Sequence, residues 1–194
     1  MEKNIAYIAL FAALIVVLGL IPKIDLMAGV PITAQSLGVM LCGSVLGAKR
    51  GALAVILFLV LVAVGLPVLA GGRGGIALFT GPSAGFLFGF PVAAFVTGLI
   101  VQRWQANLGM VTFAAAIFGG IVVLYAIGIP VLAAQLSVET TTKMFASLPT
   151  HAALPLPLGL SLLYLPGDLI KAAMAALVTQ SIAQMRPGAL LSRT

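Results

Sequence analysis

Charge is what this chain has least of. Only 7% of its 194 residues are charged, and four acidic residues stand against ten lysines and arginines. One cysteine excludes an internal disulfide, and Cys42, set in an apolar run, reads as a small packing residue. The one histidine, His151, has no cysteine or carboxylate neighbours at metal-binding spacing, so no metal site is expected. The chain has no Gly-x-x-x-x-Gly-Lys-Ser/Thr loop, which excludes ATP hydrolysis by that route. Also missing are a Gly-x-Ser-x-Gly elbow, a His-Glu-x-x-His helix and paired catalytic carboxylates. Asp168 is the lone acid within an apolar run, so a proton or sodium relay has few parts to work with. Uphill movement of a solute would draw its energy from partners.

What is abundant is apolar surface. Hydrophobic residues make up 62% of the chain, and the mean hydropathy is +1.24. No soluble domain of this length hides so much. The runs are continuous instead of alternating, which excludes a transmembrane barrel. An all-α integral membrane protein of one domain follows. Six spans can be drawn, at 5–21, 34–48, 51–66, 83–102, 108–134 and 158–185. The second is the weakest, being short and carrying Gln35 and Ser36. The first has no small-residue cleavage pattern after it and reads as a retained helix. Lys49-Arg50-Gly51 reads as a tight turn into the third span.

The net charge of +6 then reads as topology, with no nucleic-acid partner implied. With the N-terminus inside, Lys3, Lys49, Arg50, Arg103, Arg186 and Arg193 are cytoplasmic. Lys23, Arg73 and Lys143 fall outside with Asp25 and Glu139, and both termini are cytoplasmic. The inner connections are short, while the outer loops 22–33, 67–82 and 135–157 are long, which suits a pocket facing outward beneath them. Ser137 and Glu139 suit the start of a short helix over 138–148, closed by Pro149, Pro155 and Pro157.

Four features carry chemistry. Asp168 and Lys171 lie three residues apart in the last span, about 15 Å below its outer end, where a charge costs about 2.5–3.5 kcal/mol on insertion scales. They share a helical face and can pair. Since apolar residues stabilise a helix as well or better, the pair points to a polar ligand, with a structural ion pair as the alternative. In the outer loop, Gly71, Gly72, Gly74 and Gly75 surround Arg73. Such glycines admit an anion-binding turn and the guanidinium suits a carboxylate, although a flexible hairpin fits equally. Thr33 and Gln35, entering the second span, offer a hydroxyl and an amide to the same cavity or cap the helix. Tyr164 stacks on a ligand ring or packs between helices. Small residues at four-residue spacing, Ala9/Ala13, Gly43/Gly47/Gly51 and Gly81/Gly85/Gly89, mark close helix approach.

Three segments together resemble the BioY family: Gly65-Leu-Pro-Val-Leu-Ala-Gly-Gly-Arg-Gly-Gly75, Thr80-Gly-Pro-Ser-Ala-Gly-Phe86 and Leu165-Pro-Gly-Asp-Leu-Ile-Lys171. The resemblance runs from Pro31-Ile-Thr-Ala-Gln35 to Lys171. It implies a biotin-binding S component of an energy-coupling-factor (ECF) transporter, non-enzymatic, in a bacterial cytoplasmic membrane. It further implies a transmembrane T component and two cytoplasmic ABC ATPases as partners. Ala9 and Ala13 match the short alanine motif with which S components meet the T component. Biotin is the implied ligand, and no cofactor is. Asp168 would accept from its ureido N–H groups and Lys171 would donate to an oxygen. Phe79 and Tyr164 would cover the ring, and Arg73 between Gly72 and Gly74 would meet the carboxylate. The alternatives are an S component for riboflavin or thiamine, or a small membrane enzyme acting on lipid head groups with Asp168 as base.

Overall fold

The structure, a computed structural model, describes residues 2–23, 32–135 and 156–193, with side chains left undescribed from 156 to 163. The short helix expected over 138–148, with Ser137, Glu139, Lys143, Pro149, His151 and Pro155, lies outside these residues, as do Asp25 and Pro31. Among the described residues the long elements are all helices: α1 (Glu2–Gly19), α2 (Gln35–Leu46), α3 (Ala48–Ala63), α4 (Ala84–Arg103), α5 (Leu108–Gln135) and α6 (Leu156–Met185). α1, α4 and α5 are long and apolar enough to cross a membrane. Their outer faces carry exposed Leu10, Phe88, Phe118 and other large apolar side chains. A bundle with such an exterior is stable in lipid, where helices satisfy their own backbone.

α2 is the hub. Every one of its 12 residues is buried, and its small residues let neighbours close in. A β-carbon on Gly38 would meet Ile15 Cγ1 at 3.0 Å, and one on Gly43 would meet Thr97 Cβ at 2.9 Å. Gly51 on α3 sits against Cys42 O, so the spacing of Gly43 and Gly51 serves packing inside the bundle. Gly85 and Gly89 do the same for α4, lying on Val131 and Leu124 of α5. Gly81 has open space around it.

The turn between α2 and α3 is one place where the expectation fails. Lys49, Arg50 and Gly51 do not form it; they belong to α3. The reversal takes place at Gly47, whose φ of 83° is open to glycine and strained for other residues. Its N–H bonds Gly43 O at 2.9 Å, closing α2, and its carbonyl accepts from Gly51 N at 2.9 Å, opening α3. α2 and α3 are accordingly shorter or shifted relative to the spans drawn from hydropathy. Pro157 falls in the first turn of α6, where a missing N–H costs nothing.

The C-terminal segment straps this end of the bundle. Ser192 N donates to Val45 O at 2.9 Å, and Arg193 donates to Trp104 O at 2.9 Å and Ala106 O at 3.1 Å. Those carbonyls lie beyond the end of α4, where a cation is favoured.

Because Gly47 has a positive φ and its β-carbon position falls on the Gln102 side chain, Gly47→Ala is expected to destabilise the protein by about 1–2 kcal/mol. A thermal unfolding scan in detergent checks this; an unchanged midpoint would show that the turn tolerates a side chain.

Candidate functional site

The centre of the site is the Asp168 carboxylate, buried at 6% exposure. Helical spacing brings Lys171 onto the same face of α6, and its Nζ donates to Asp168 Oδ1 at 2.8 Å. From α2, Ser36 Oγ accepts from Lys171 Nζ at 2.9 Å and reaches Asp168 Oδ1 at 3.4 Å. From α5, the Tyr125 hydroxyl donates to Asp168 Oδ2 at 2.7 Å. Both carboxylate oxygens are thus held by donors from three helices, which is what a buried charge requires.

Tyr125 reaches this position through an irregularity in α5. Residues Phe118–Val123 form a π-helical segment, which inserts one residue and rotates the following turn by about 100°. Gly119 and Gly120 permit it: β-carbons there would meet Ala93 O at 2.8 Å and Met40 Cγ at 2.6 Å. The wide turn packs against α4 and α2, and the next residues, Leu124 and Tyr125, face inward.

These groups border a small cavity of about 60 Å³. Its polar wall is Thr33, Ser36, Tyr125, Asp168 and Lys171; its apolar wall is Ile32, Phe86, Phe90, Leu124 and Tyr164. Tyr164 lies edge-on to Tyr125, with ring centres 6.4 Å apart, and tilts on Phe86 at 6.2 Å. Drug-sized ligands occupy pockets of roughly 300–1,000 Å³. The space here is the scale of a ligand's polar end, and a whole vitamin would require the walls to part.

Of the residues singled out from sequence, Asp168, Lys171, Thr33 and Tyr164 come together here. The others do not border this cavity. Gln35 is committed to backbone: its amide donates to Ile15 O at 3.2 Å and Val68 O at 3.1 Å, while its carbonyl accepts from Ala70 N at 3.0 Å. A buried amide surrounded by the ends of α1 and the outer loop satisfies itself there, and in doing so anchors the loop. Arg73 and Leu69 pair through both their backbone groups at 2.9 and 3.2 Å, forming a tight hairpin. Gly72 lies in it at a φ of 69°, and the Arg73 Nε donates back to Ala70 O at 3.2 Å. Gly74 presses on Leu66 O, leaving no room for a side chain. Phe79 tilts on Phe88 at 5.7 Å. Ala9 and Ala13 are exposed on α1, facing away from the packed residues Phe11, Ala12 and Ile15.

Sequence reasoning missed Ser36 and Tyr125 as members of the site. A signal existed for each. Ser36 stood out only as a polar blemish in a weak span, and Tyr125 is the sole tyrosine of α5, whose hydroxyl needs a partner when buried. Among the described residues no group of three histidines, cysteines or carboxylates could hold a metal.

A helical bundle with an apolar exterior and a buried, fully partnered carboxylate–ammonium pair facing an aromatic-walled cavity defines an integral membrane protein with an internal ligand site. Comparison with known proteins narrows the class. The chain belongs to the BioY family, matching it over residues 2–188. It is 52% identical to the biotin transporter BioY of Rhodobacter capsulatus across the whole of both chains. It is 49% identical to the biotin transporter BioY of Rhizobium etli, covering 93% of this chain and 92% of that one. Its fold matches the crystal structure of the S component for biotin from an ECF-type ABC transporter, with a TM-score of 0.79 and 29% identity over 95% of this chain and 92% of the other.

The partners of Asp168 are unequal, and their removal should rank accordingly. Lys171→Met leaves a buried carboxylate without its counter-charge and is expected to cost about 3–5 kcal/mol of stability. Tyr125→Phe removes one hydrogen bond to a charged acceptor, about 1.5–3 kcal/mol. Unfolding midpoints in detergent give the order; equal losses would show that Lys171 acts as one donor among several.

Proposed function

We infer that this protein binds biotin and carries it into the cell as the substrate-capture subunit, the S component, of an ECF-type ABC transporter. The observation that carries the reading is full-length similarity to biotin transporters, on a chain whose fold is that of a biotin S component. The chain is a transport subunit and not an enzyme, which disposes of Asp168 as a catalytic base. The riboflavin and thiamine alternatives lose their ground, since both relatives are biotin transporters.

The finer picture is proposed on chemistry. Asp168 accepts from the ureido N–H groups of biotin, and Lys171 donates to the ureido oxygen. Ser36 and Tyr125 hold these two side chains in place before the ligand arrives, so little ordering remains to be done on binding. Tyr164 and Phe86 cover the bicyclic ring. Arg73, on its loop between Gly72 and Gly74, swings from Ala70 O to the carboxylate tail as the cavity widens, and Phe79 follows with the loop. The six helices span the cytoplasmic membrane with both termini inside, and the exposed Ala9/Ala13 face of α1 meets the T component, which two ABC ATPases drive.

Equilibrium binding of labelled biotin to the purified chain tests the reading directly. Asp168→Asn is expected to weaken binding by roughly ten- to a hundredfold, the loss of about 1.5–3 kcal/mol for a charge-assisted hydrogen bond. Unchanged affinity in a folded variant would reduce Asp168 to an ion-pair partner. Arg73→Ala should weaken binding of biotin far more than of an uncharged biotin amide, mostly through faster release, and Arg73→Lys should restore only part. Equal losses for acid and amide would remove Arg73 from the carboxylate and leave the loop acting through its backbone.

A further inference from the structure

A larger hollow lies about 25 Å along α6 from Asp168, beside the C-terminal end of that helix. A groove of about 520 Å³ runs between α1 and α6, walled by Leu10, Ala13, Val17, Ile182 and other apolar side chains. It shares Arg186 with an adjoining space of about 540 Å³, which Lys3 also borders. A long apolar trough therefore opens at one end onto two exposed cations.

Neither cation is answered from within the protein. Among the described residues, the side chains of Lys3 and Arg186 take part in no ion pair and no hydrogen bond. The one carboxylate close by in sequence, Glu2, is the immediate neighbour of Lys3 on α1, and adjacent helical residues do not face each other. Elsewhere this bundle meets lipid with convex apolar faces that need no occupant. Here the surface is concave, and its mouth is doubly positive.

We propose that this groove is a binding site for one anionic phospholipid, an acyl chain lying in the trough and the phosphate at its mouth between Lys3 and Arg186. Each half of the site selects against other ligands. A soluble anion has no use for the apolar trough, and a neutral lipid leaves both cations unmatched. The charge pattern of the connections puts Lys3 and Arg186 at the cytoplasmic leaflet, where anionic lipids are concentrated and a juxtamembrane basic residue gains from them.

The test uses the full-length protein in mixed micelles containing equal amounts of phosphatidylglycerol and phosphatidylcholine with the same acyl chains. Retained lipid is read by native mass spectrometry. One phosphatidylglycerol should remain bound, preferred over phosphatidylcholine by on the order of tenfold or more. The double variant Lys3→Gln/Arg186→Gln should lose that preference while binding biotin with unchanged affinity, which also reports that it is folded. If the double variant does not fold, the two single variants decide, each expected to lose a clear share of the preference. Ile182→Trp, which fills the trough, should lower retention of both lipids. The proposal is overturned by equal retention of the two lipids in the parent protein, by a preference that survives the loss of both cations, or by a groove covered by a second copy of the chain with no lipid retained.

Discussion

A carboxylate cannot stay charged inside a membrane bundle unless the bundle answers it. Asp168 is answered by a cation one turn away on its own helix and by hydroxyls from two others, Ser36 on α2 and Tyr125 on α5. The hydroxyls are the structural constraint. Each must arrive within hydrogen-bond distance, so α2, α5 and α6 are held in fixed register around a single atom group. Such an arrangement gains little stability over apolar packing. What it does provide is a preformed polar end in an otherwise greasy interior, ready for a ligand that also presents donors and an acceptor.

The close contacts that make this possible depend on small residues. α2 can be surrounded on all sides because Gly38 and Gly43 let α1 and α4 approach its backbone. Gly119 and Gly120 let α5 widen into a π-helical segment against Thr97 and Met40. Without that segment the face of α5 carrying Tyr125 would turn away from Asp168. In membranes, where exclusion from water does not drive helices together, such backbone proximity supplies much of the cohesion.

Polar side chains outside the site obey the same accounting. Gln35 neighbours Ser36, yet its amide is spent on three backbone groups that join α1 to the outer hairpin. Ser44 and Thr179 share a hydrogen bond of 2.9 Å between α2 and α6, and Thr97 returns its hydroxyl to Ala115 O at 3.3 Å. The hairpin is thus tied to the helix that carries Ser36, one residue away. Movement of the loop over the cavity and rearrangement of the polar end are mechanically linked through a single buried amide.

The amino-acid sequence alone determined whatever depends on local spacing and on solvent. Continuous apolar runs with almost no charge required helices in lipid. An acid and a base three residues apart had to share one face of α6. Four glycines in five positions required a tight hairpin with positive φ. Tertiary structure decided everything set by distances between helices. Ser36 and Tyr125 joined the site because glycine contacts and a π-helical turn brought them there, and neither cause has a periodic signature. Gln35 was diverted from the cavity because unsatisfied carbonyls of α1 and the hairpin lay closer. The reversal moved from Lys49–Gly51 to Gly47 because hydropathy reports where a helix can lie in lipid, whereas its end is set by the one residue whose backbone can take the left-handed turn.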